Sequence, residues 1–250
     1  DYALHVEALT ALGEKVGFVD AEKSLDINWA KGIGIDVSDK KWVYSMPTSG
    51  EKALEHVESM ITEHECKAVV LDSIDACQPA TYQEGEYGES VMMQHAKLIN
   101  KFARRIIGLC KDHDAIVFVI NQMRTAGGTN MTYNKPSGGK GLPFYSSINI
   151  QMTRTKSPSG LIDEINIPLK LKVKRSKLGQ SWIDIETFGI QGKALDSDAE
   201  LVQMAIDVGL MERNGSWYKA GKETIGQTLD LAKEWALEHK QKILEYNDSI

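Results

Sequence analysis

Lys67–Ala76 reads KAVVLDSIDA, and the fold turns on this stretch. Four apolar residues, Ala68, Val69, Val70 and Leu71, run unbroken into Asp72 and Ser73. A run that short and continuous predicts a strand covered on both faces, as in a parallel sheet flanked by helices. Asp72 then stands at the strand's carboxyl end, where open α/β sheets gather their ligands. A carboxylate followed by a hydroxyl suits Mg²⁺ carried on nucleotide phosphates, because that hard cation takes oxygen ligands. The same pattern also describes an acid that caps the next turn. The stretch alone does not choose between them.

Outward from this strand the pattern repeats. Tyr2–Lys15 has helical period, and Val16–Asp20 (VGFVD) is a short strand ending in Asp20, with Glu22 close behind. Leu25–Lys31 predicts a short helix, Trp42–Met46 a strand, and Ser49 an N-cap for a helix over Glu51–Thr62. After the opening strand, Gln83–Ser90 is polar and glycine-containing, and Val91–Lys111 is a long helix. Ala115–Ile120 (AIVFVI) is another fully apolar strand, ending in Asn121-Gln122. Thr125–Gly141 is rich in Gly, Asn, Thr and Ser and reads as a long mobile loop, a length that inside a compact domain usually serves function. From Ser147 the period becomes two: Ser147–Thr155, Glu164–Lys174 and Trp182–Thr187 predict antiparallel strands appended to the parallel ones. The expected layout is a core over residues 1–190, a linker over 191–198 and a small α+β domain over 199–250, with helices near 199–209 and 228–246 and a hairpin at WYKAGKETIG.

Four strands thus end in residues able to do chemistry: Glu22, Ser49, Asp72 and Gln122. In a doubly wound sheet all four line one crevice. Phosphoryl transfer needs a metal, an oriented water and a sensor of the γ-phosphate. Asp72 can hold Mg²⁺ through water, Glu22 can orient or deprotonate the attacking water, and Gln122 can bond the γ-phosphate and report it to the loop that follows. A surface Glu22 and a Gln122 bonded to backbone are the plain alternatives. No G-x-x-x-x-G-K-[ST] loop occurs in the 250 residues; Gly138-Gly139-Lys140-Gly141 lacks the strand before and helix after that such a loop requires. A second signal is basic: Lys97, Lys101, Arg104 and Arg105 recur at three- and four-residue spacing, as on one helix face. Such a face is commonly just solvated. Beside Arg124 and a Gly/Asn/Thr loop, it also suits a groove for DNA phosphates.

Composition narrows the classes. The net charge of −6 argues against nucleic-acid binding by the whole surface, though not by a local stripe. No apolar stretch approaches the roughly 18 residues that span a bilayer, and no cationic-then-apolar leader opens the chain. Cys66, Cys77 and Cys110 follow no metal or redox spacing and read as reduced thiols, which predicts a cytoplasmic protein without a membrane partner.

Taken in order, FVDAEKSLD, VVLDSIDA, EGEYGES, FVINQMR, SGGKGLPFYSS, KVKRSKLG and GSWYKAGKETIGQ resemble the RecA family of recombinases over essentially the whole chain. The resemblance implies a RecA-like P-loop ATPase core with a small C-terminal domain. It implies ATP and Mg²⁺ as cofactors, DNA-stimulated ATP hydrolysis, a helical self-assembled filament on single-stranded DNA, and strand exchange with double-stranded DNA in recombination, DNA repair and the SOS response. By position, Glu22 resembles the catalytic glutamate, Gln122 the γ-phosphate sensor, and Asp72 the Mg²⁺-binding acid, with Ser73 beside it. Asp26 and Trp29 fall where the family contacts adenine, and Arg175 and Lys177 where two lysines reach a neighbouring subunit's ATP. Residues Glu84–Met92 resemble the first DNA loop, with Lys97 and Arg104 on its basic helix. Arg124 and Thr125–Gly141 resemble the second DNA loop, closing at Gly138 and Gly139. Phe144 matches an interface aromatic.

The departures shape the expectation. Relative to the family, the chain starts just after the phosphate loop, and the segment that docks on a neighbouring subunit is missing. The second loop is slightly shorter, and Met131 or Tyr133 stands where its aromatic belongs. The sequence therefore predicts a DNA-dependent ATPase in the complete protein, with this stretch alone inactive. The other reading is a non-hydrolysing DNA-binding or filament-capping module.

Overall fold

The computed structural model describes residues 13–32, 34–38, 40–83, 89–128, 131–136, 139, 141–155, 166–190 and 196–247. Most of the expected helix over Tyr2–Lys15, most of the first DNA loop and Gly138 lie outside these residues; Gly13–Lys15, which are described, are not helical. Two compact units emerge, Asp1–Asn149 and Ile150–Ile250.

The first unit is built on β1 (Val16–Asp20), α1 (Ile27–Gly32), β2 (Trp42–Ser45), α2 (Gly50–Thr62), β3 (Ala68–Asp72), a 3₁₀ turn (Ile74–Ala76), α3 (Ala80–Gln83), α4 (Glu89–Asp112) and β4 (Ile116–Val119). The four strands form a parallel sheet in the order β2-β1-β3-β4. The unbroken apolar runs are explained by burial on both faces. On one face Val19, Val69 and Leu71 pack with Ala53, Leu54, Val57 and Ile61 of α2 and with Ile99, Phe102 and Ile106 of α4. On the other, Val16, Phe18, Ala68 and Val70 pack with Ala30, Ile35 and Trp42. Ser49 caps α2 by accepting from the Lys52 amide at 3.3 Å. Gly50 is required there: its amide donates to the Gln78 carbonyl at 2.7 Å, and a methyl group at this position would overlap the Cys77 carbonyl.

Order 2-1-3-4 positions the site. The chain winds from β1 outward to β2, then crosses back to β3 on the other flank of β1. The two directions part between β1 and β3, which is where ligands bind in such sheets.

The stretch after β4 differs from expectation. In place of a loop without regular structure, β5 (Met123–Gly128) and β6 (Met131–Pro136) pair antiparallel from Met123↔Pro136 to Gly128↔Met131. Met131, Thr132 and Tyr133 are good strand formers, and Gly127 and Gly128 end β5 on the side of the turn, where tight hairpins favour glycine. The short α5 (Gly141–Tyr145) follows.

β7 (Ile148–Arg154), β8 (Asn166–Ser176) and β9 (Ile183–Ile190) form a separate sheet, with β8 and β9 antiparallel and all but the first two residues of β7 in the second unit. Lys170 and Lys172 of β8 reach Asp184 of β9 at 2.8 and 3.5 Å. After α6 (Ser197–Asp207) comes a three-stranded sheet, β10 (Glu212–Asn214), β11 (Trp217–Ala220) and β12 (Glu223–Gly226), one strand more than the expected hairpin. The single helix expected over 228–246 is two, α7 (Leu229–Glu238) and α8 (Lys240–Asn247). They part at His239, whose ring stacks on Trp235 and bonds its carbonyl. Asp196 caps α6 and also holds Lys233 of α7 at 2.5 Å, both side chains largely buried.

Candidate active site

Parallel register places Asp20 and Asp72 side by side at the carboxyl ends of β1 and β3. Immediately beyond them the chain is tied across the two strands. The amides of Ala21 and Glu22 both donate to the Asp72 carbonyl, at 2.7 and 3.2 Å. Glu22 is therefore carried on a turn anchored to the strand that bears Asp72.

The Glu22 carboxylate is held from two further sides. The hydroxyl of Ser73, a fully buried residue, donates to Glu22 Oε1. The Gln122 amide, from just beyond β4, donates to the same oxygen at 2.8 Å. Three of the four residues expected to converge, Glu22, Asp72 and Gln122, thus meet with Ser73 across three adjacent strands. The fourth, Ser49, is the cap of α2.

Asp72 is the chemically unusual member. Burial pushes its carboxyl up to about 6, and the nearby charges of Glu22 and then Asp20 push the same way. It does not cap the turn that follows; Ser73 occupies that position. Among the described residues no hydrogen bond to its carboxylate offsets that burial. A half-buried carboxylate crowded by two other acids is a place where a cation is stabilising. Among the described residues no group of three or more His, Cys, Asp or Glu is arranged to hold a metal. The fit is thus to an ion that takes one carboxylate and keeps its other positions for water and phosphate, as Mg²⁺ does, and not to a metal wholly caged by protein.

Asp20 behaves differently. It is 1% exposed, yet its oxygens accept from the Ser24 amide at 3.2 Å, the Leu25 amide at 3.0 Å and the Tyr44 hydroxyl at 2.9 Å. Reading the sequence did not single out Tyr44. The strand pattern alone contains the signal, since Tyr44 lies opposite Phe18 in register, on the face that Asp20 shares.

The remaining sites fall as follows. Asp26 accepts from the Asn28 and Trp29 amides at 2.8 and 3.2 Å, opening α1, and the Trp29 ring is partly exposed. Lys97, Lys101 and Arg104 share the exposed side of α4. Arg105 does not belong with them: it turns to α2 and pairs with Glu58 at 2.9 Å. Arg104 donates to the Tyr145 hydroxyl at 2.7 Å and lies over its ring. Phe144, 61% exposed, meets Tyr145 edge-on. Of Met92, Arg124, Met131 and Tyr133 only the backbone is described, in α4, β5 and β6. Gly139 has φ +80°, a conformation suited to glycine. Arg175 and Lys177 lie at and just after the end of β8, in the second unit.

Comparison with known proteins bears on the family and the fold. The profile of the RecA N-terminal domain matches residues 2–195, and that of the RecA C-terminal domain matches 199–250. Protein RecA of Limosilactobacillus reuteri (strain DSM 20016) is 29% identical over 252 residues, spanning 99% of this chain and 68% of its own length. Protein RecA of Listeria monocytogenes serotype 4a is 31% identical over 241 residues, spanning 95% and 68%. A crystal structure of the RadB recombinase, 15% identical, superposes with a TM-score of 0.52 over 78% of this chain and 86% of that one, a likeness of fold.

Proposed function

Because the chain belongs to the RecA family, we propose that it is the greater part of an ATP-dependent recombinase that assembles as a filament on single-stranded DNA and exchanges strands with duplex DNA. The observation that carries this reading is the meeting of Glu22, Ser73 and Gln122 on one carboxylate oxygen beside the crowded acid Asp72. Asp72 would hold Mg²⁺ through water, and Mg²⁺ bound with ATP would supply charge neutralisation on the phosphates. Glu22 takes the proton of the attacking water. Gln122 has two acceptors to serve, the Glu22 carboxylate and a phosphate oxygen. Its backbone runs directly into β5, so a side chain that leaves Glu22 for phosphate reports nucleotide to the hairpin.

Asp26 and Trp29 contact the adenine. Arg175 and Lys177 act on ATP held by a neighbouring subunit, where two cations stabilise charge developing on the phosphates, and Phe144 packs at that interface. DNA runs along Met92, Lys97, Arg104, Arg124, the 125–141 segment with Met131 or Tyr133, and the glycines Gly138 and Gly139. A cytoplasmic setting follows from this work on DNA.

Stimulation of ATP hydrolysis by single-stranded DNA in the complete gene product tests the proposal. Turnover that rises with DNA supports it. DNA binding with no turnover supports instead a non-hydrolysing DNA-binding or filament-capping module.

A further inference from the structure

Asp20 is a buried carboxylate at the site that the chemistry above leaves without a task. Its three hydrogen bonds define one. Two of them, from the Ser24 and Leu25 amides, close the turn that follows β1. Glu22 sits inside that turn, and the next residue, Lys23, adopts φ +58°, a left-handed conformation that a lysine keeps only when its surroundings hold it. The third bond comes from outside the turn: Tyr44, on β2, donates to Asp20 Oδ2, the oxygen that also accepts from Leu25.

We infer that Tyr44 is a positioning residue for Glu22: its hydroxyl seats the buried Asp20 carboxylate, which in turn holds the Ser24 and Leu25 amides that shape the turn carrying Glu22. Three strands then fix the glutamate jointly. Strand β2 acts through Tyr44 and Asp20, β3 through the Asp72 carbonyl and Ser73, and β4 through Gln122. Tyr44 is suited to this task. Its ring stacks on Phe18, with centroids 6.4 Å apart. Burial and then the bond to Asp20 push its hydroxyl up to about 12, so it remains a proton donor across the neutral range. An anionic acceptor makes such a bond stronger than one between neutral groups. The two backbone amides alone would leave the buried Asp20 charge less fully satisfied.

The inference rests on Glu22 being the residue that activates water, and its test separates the two ideas. Tyr44→Phe keeps the ring and deletes only the hydroxyl. Amide hydrogen exchange in the 250-residue chain should then speed up at Ser24 and Leu25 by roughly ten-fold, while Val19 and Leu71 in the sheet exchange as before. In the complete gene product the same substitution should lower kcat about ten-fold with KM for ATP and DNA affinity unchanged. Unchanged exchange at Ser24 and Leu25 overturns the hold that Tyr44 is given. Faster exchange there with unchanged kcat overturns its positioning role. Should Glu22→Gln leave turnover intact, the reading of Glu22 fails, whatever the exchange at Ser24 and Leu25.

Discussion

Asp72 concentrates the tension of the site in a single group. Its carboxyl is raised from an ordinary value of 3.8 to about 6 by burial and by Glu22 and Asp20. The fold thus favours the protonated form, so the stability this group contributes is fully present below about pH 4 and is lost as pH rises through about 6. At neutral pH the ionised group is a liability that a bound cation removes. Carboxyl carbon NMR of the 250-residue chain should place its midpoint near 6, and Glu22→Gln, which removes a neighbouring charge, should move it down. Asp72→Asn should flatten the fall in denaturant stability between pH 4 and 7. A midpoint at the ordinary aspartate value in the unaltered chain would contradict this account. At this scale the sequence was informative about type and not about partnership. Asp72, Glu22 and Gln122 could be named from strand ends. The bonds that Ser73 and Gln122 make to one oxygen depend on loops whose course no periodicity encodes. Tyr44 escaped notice because a tyrosine in a strand looks like core.

Elements repeat the lesson. Strands β1 and β3 lie where their apolar runs put them, since burial on both faces leaves a continuous signature. The hairpin β5–β6 was hidden because its stability comes from cross-strand pairing, while its composition resembles a loop. Arg104 and Arg105 could not be told apart on a helical net; the neighbouring α2, through Glu58, draws Arg105 away. The exposed side of α4 therefore carries Lys97, Lys101 and Arg104. Replacing Lys97 and Arg104 by Ala should weaken binding to single-stranded DNA and reduce the slope of log affinity against log salt by roughly 1 to 2; an unchanged slope in anisotropy titrations would mean a merely solvated face. The entry to α2 offers a stability test. Gly50→Ala forces a methyl group against the Cys77 carbonyl, which is backbone and cannot swing aside. Urea unfolding should show a loss of about 1 to 3 kcal/mol, and no loss would mean that this close approach is dispensable.

For the molecule as a whole, strand order 2-1-3-4 turns a set of separate strand ends into one site. Glu22 and Asp72 flank the point where the winding reverses, and Gln122 leads from it directly into the hairpin. That continuity suits a machine in which nucleotide and DNA report to each other. It does so by a short path: an amide bonded to Glu22 at 2.8 Å, one residue before a strand. Burial raises the thiols of Cys66 and Cys77 to about 11 and 12 and pushes Cys110 upward too, which keeps them protonated and unreactive. The central claim is that the carboxylate at this junction activates water for ATP hydrolysis. It is tested most directly by the rate of ATP hydrolysis of the complete gene product saturated with single-stranded DNA, unaltered and as Glu22→Gln. The account predicts a loss of at least about a hundred-fold in turnover with ATP-dependent DNA binding retained; turnover that survives the substitution, or DNA binding that is lost along with it, would contradict it.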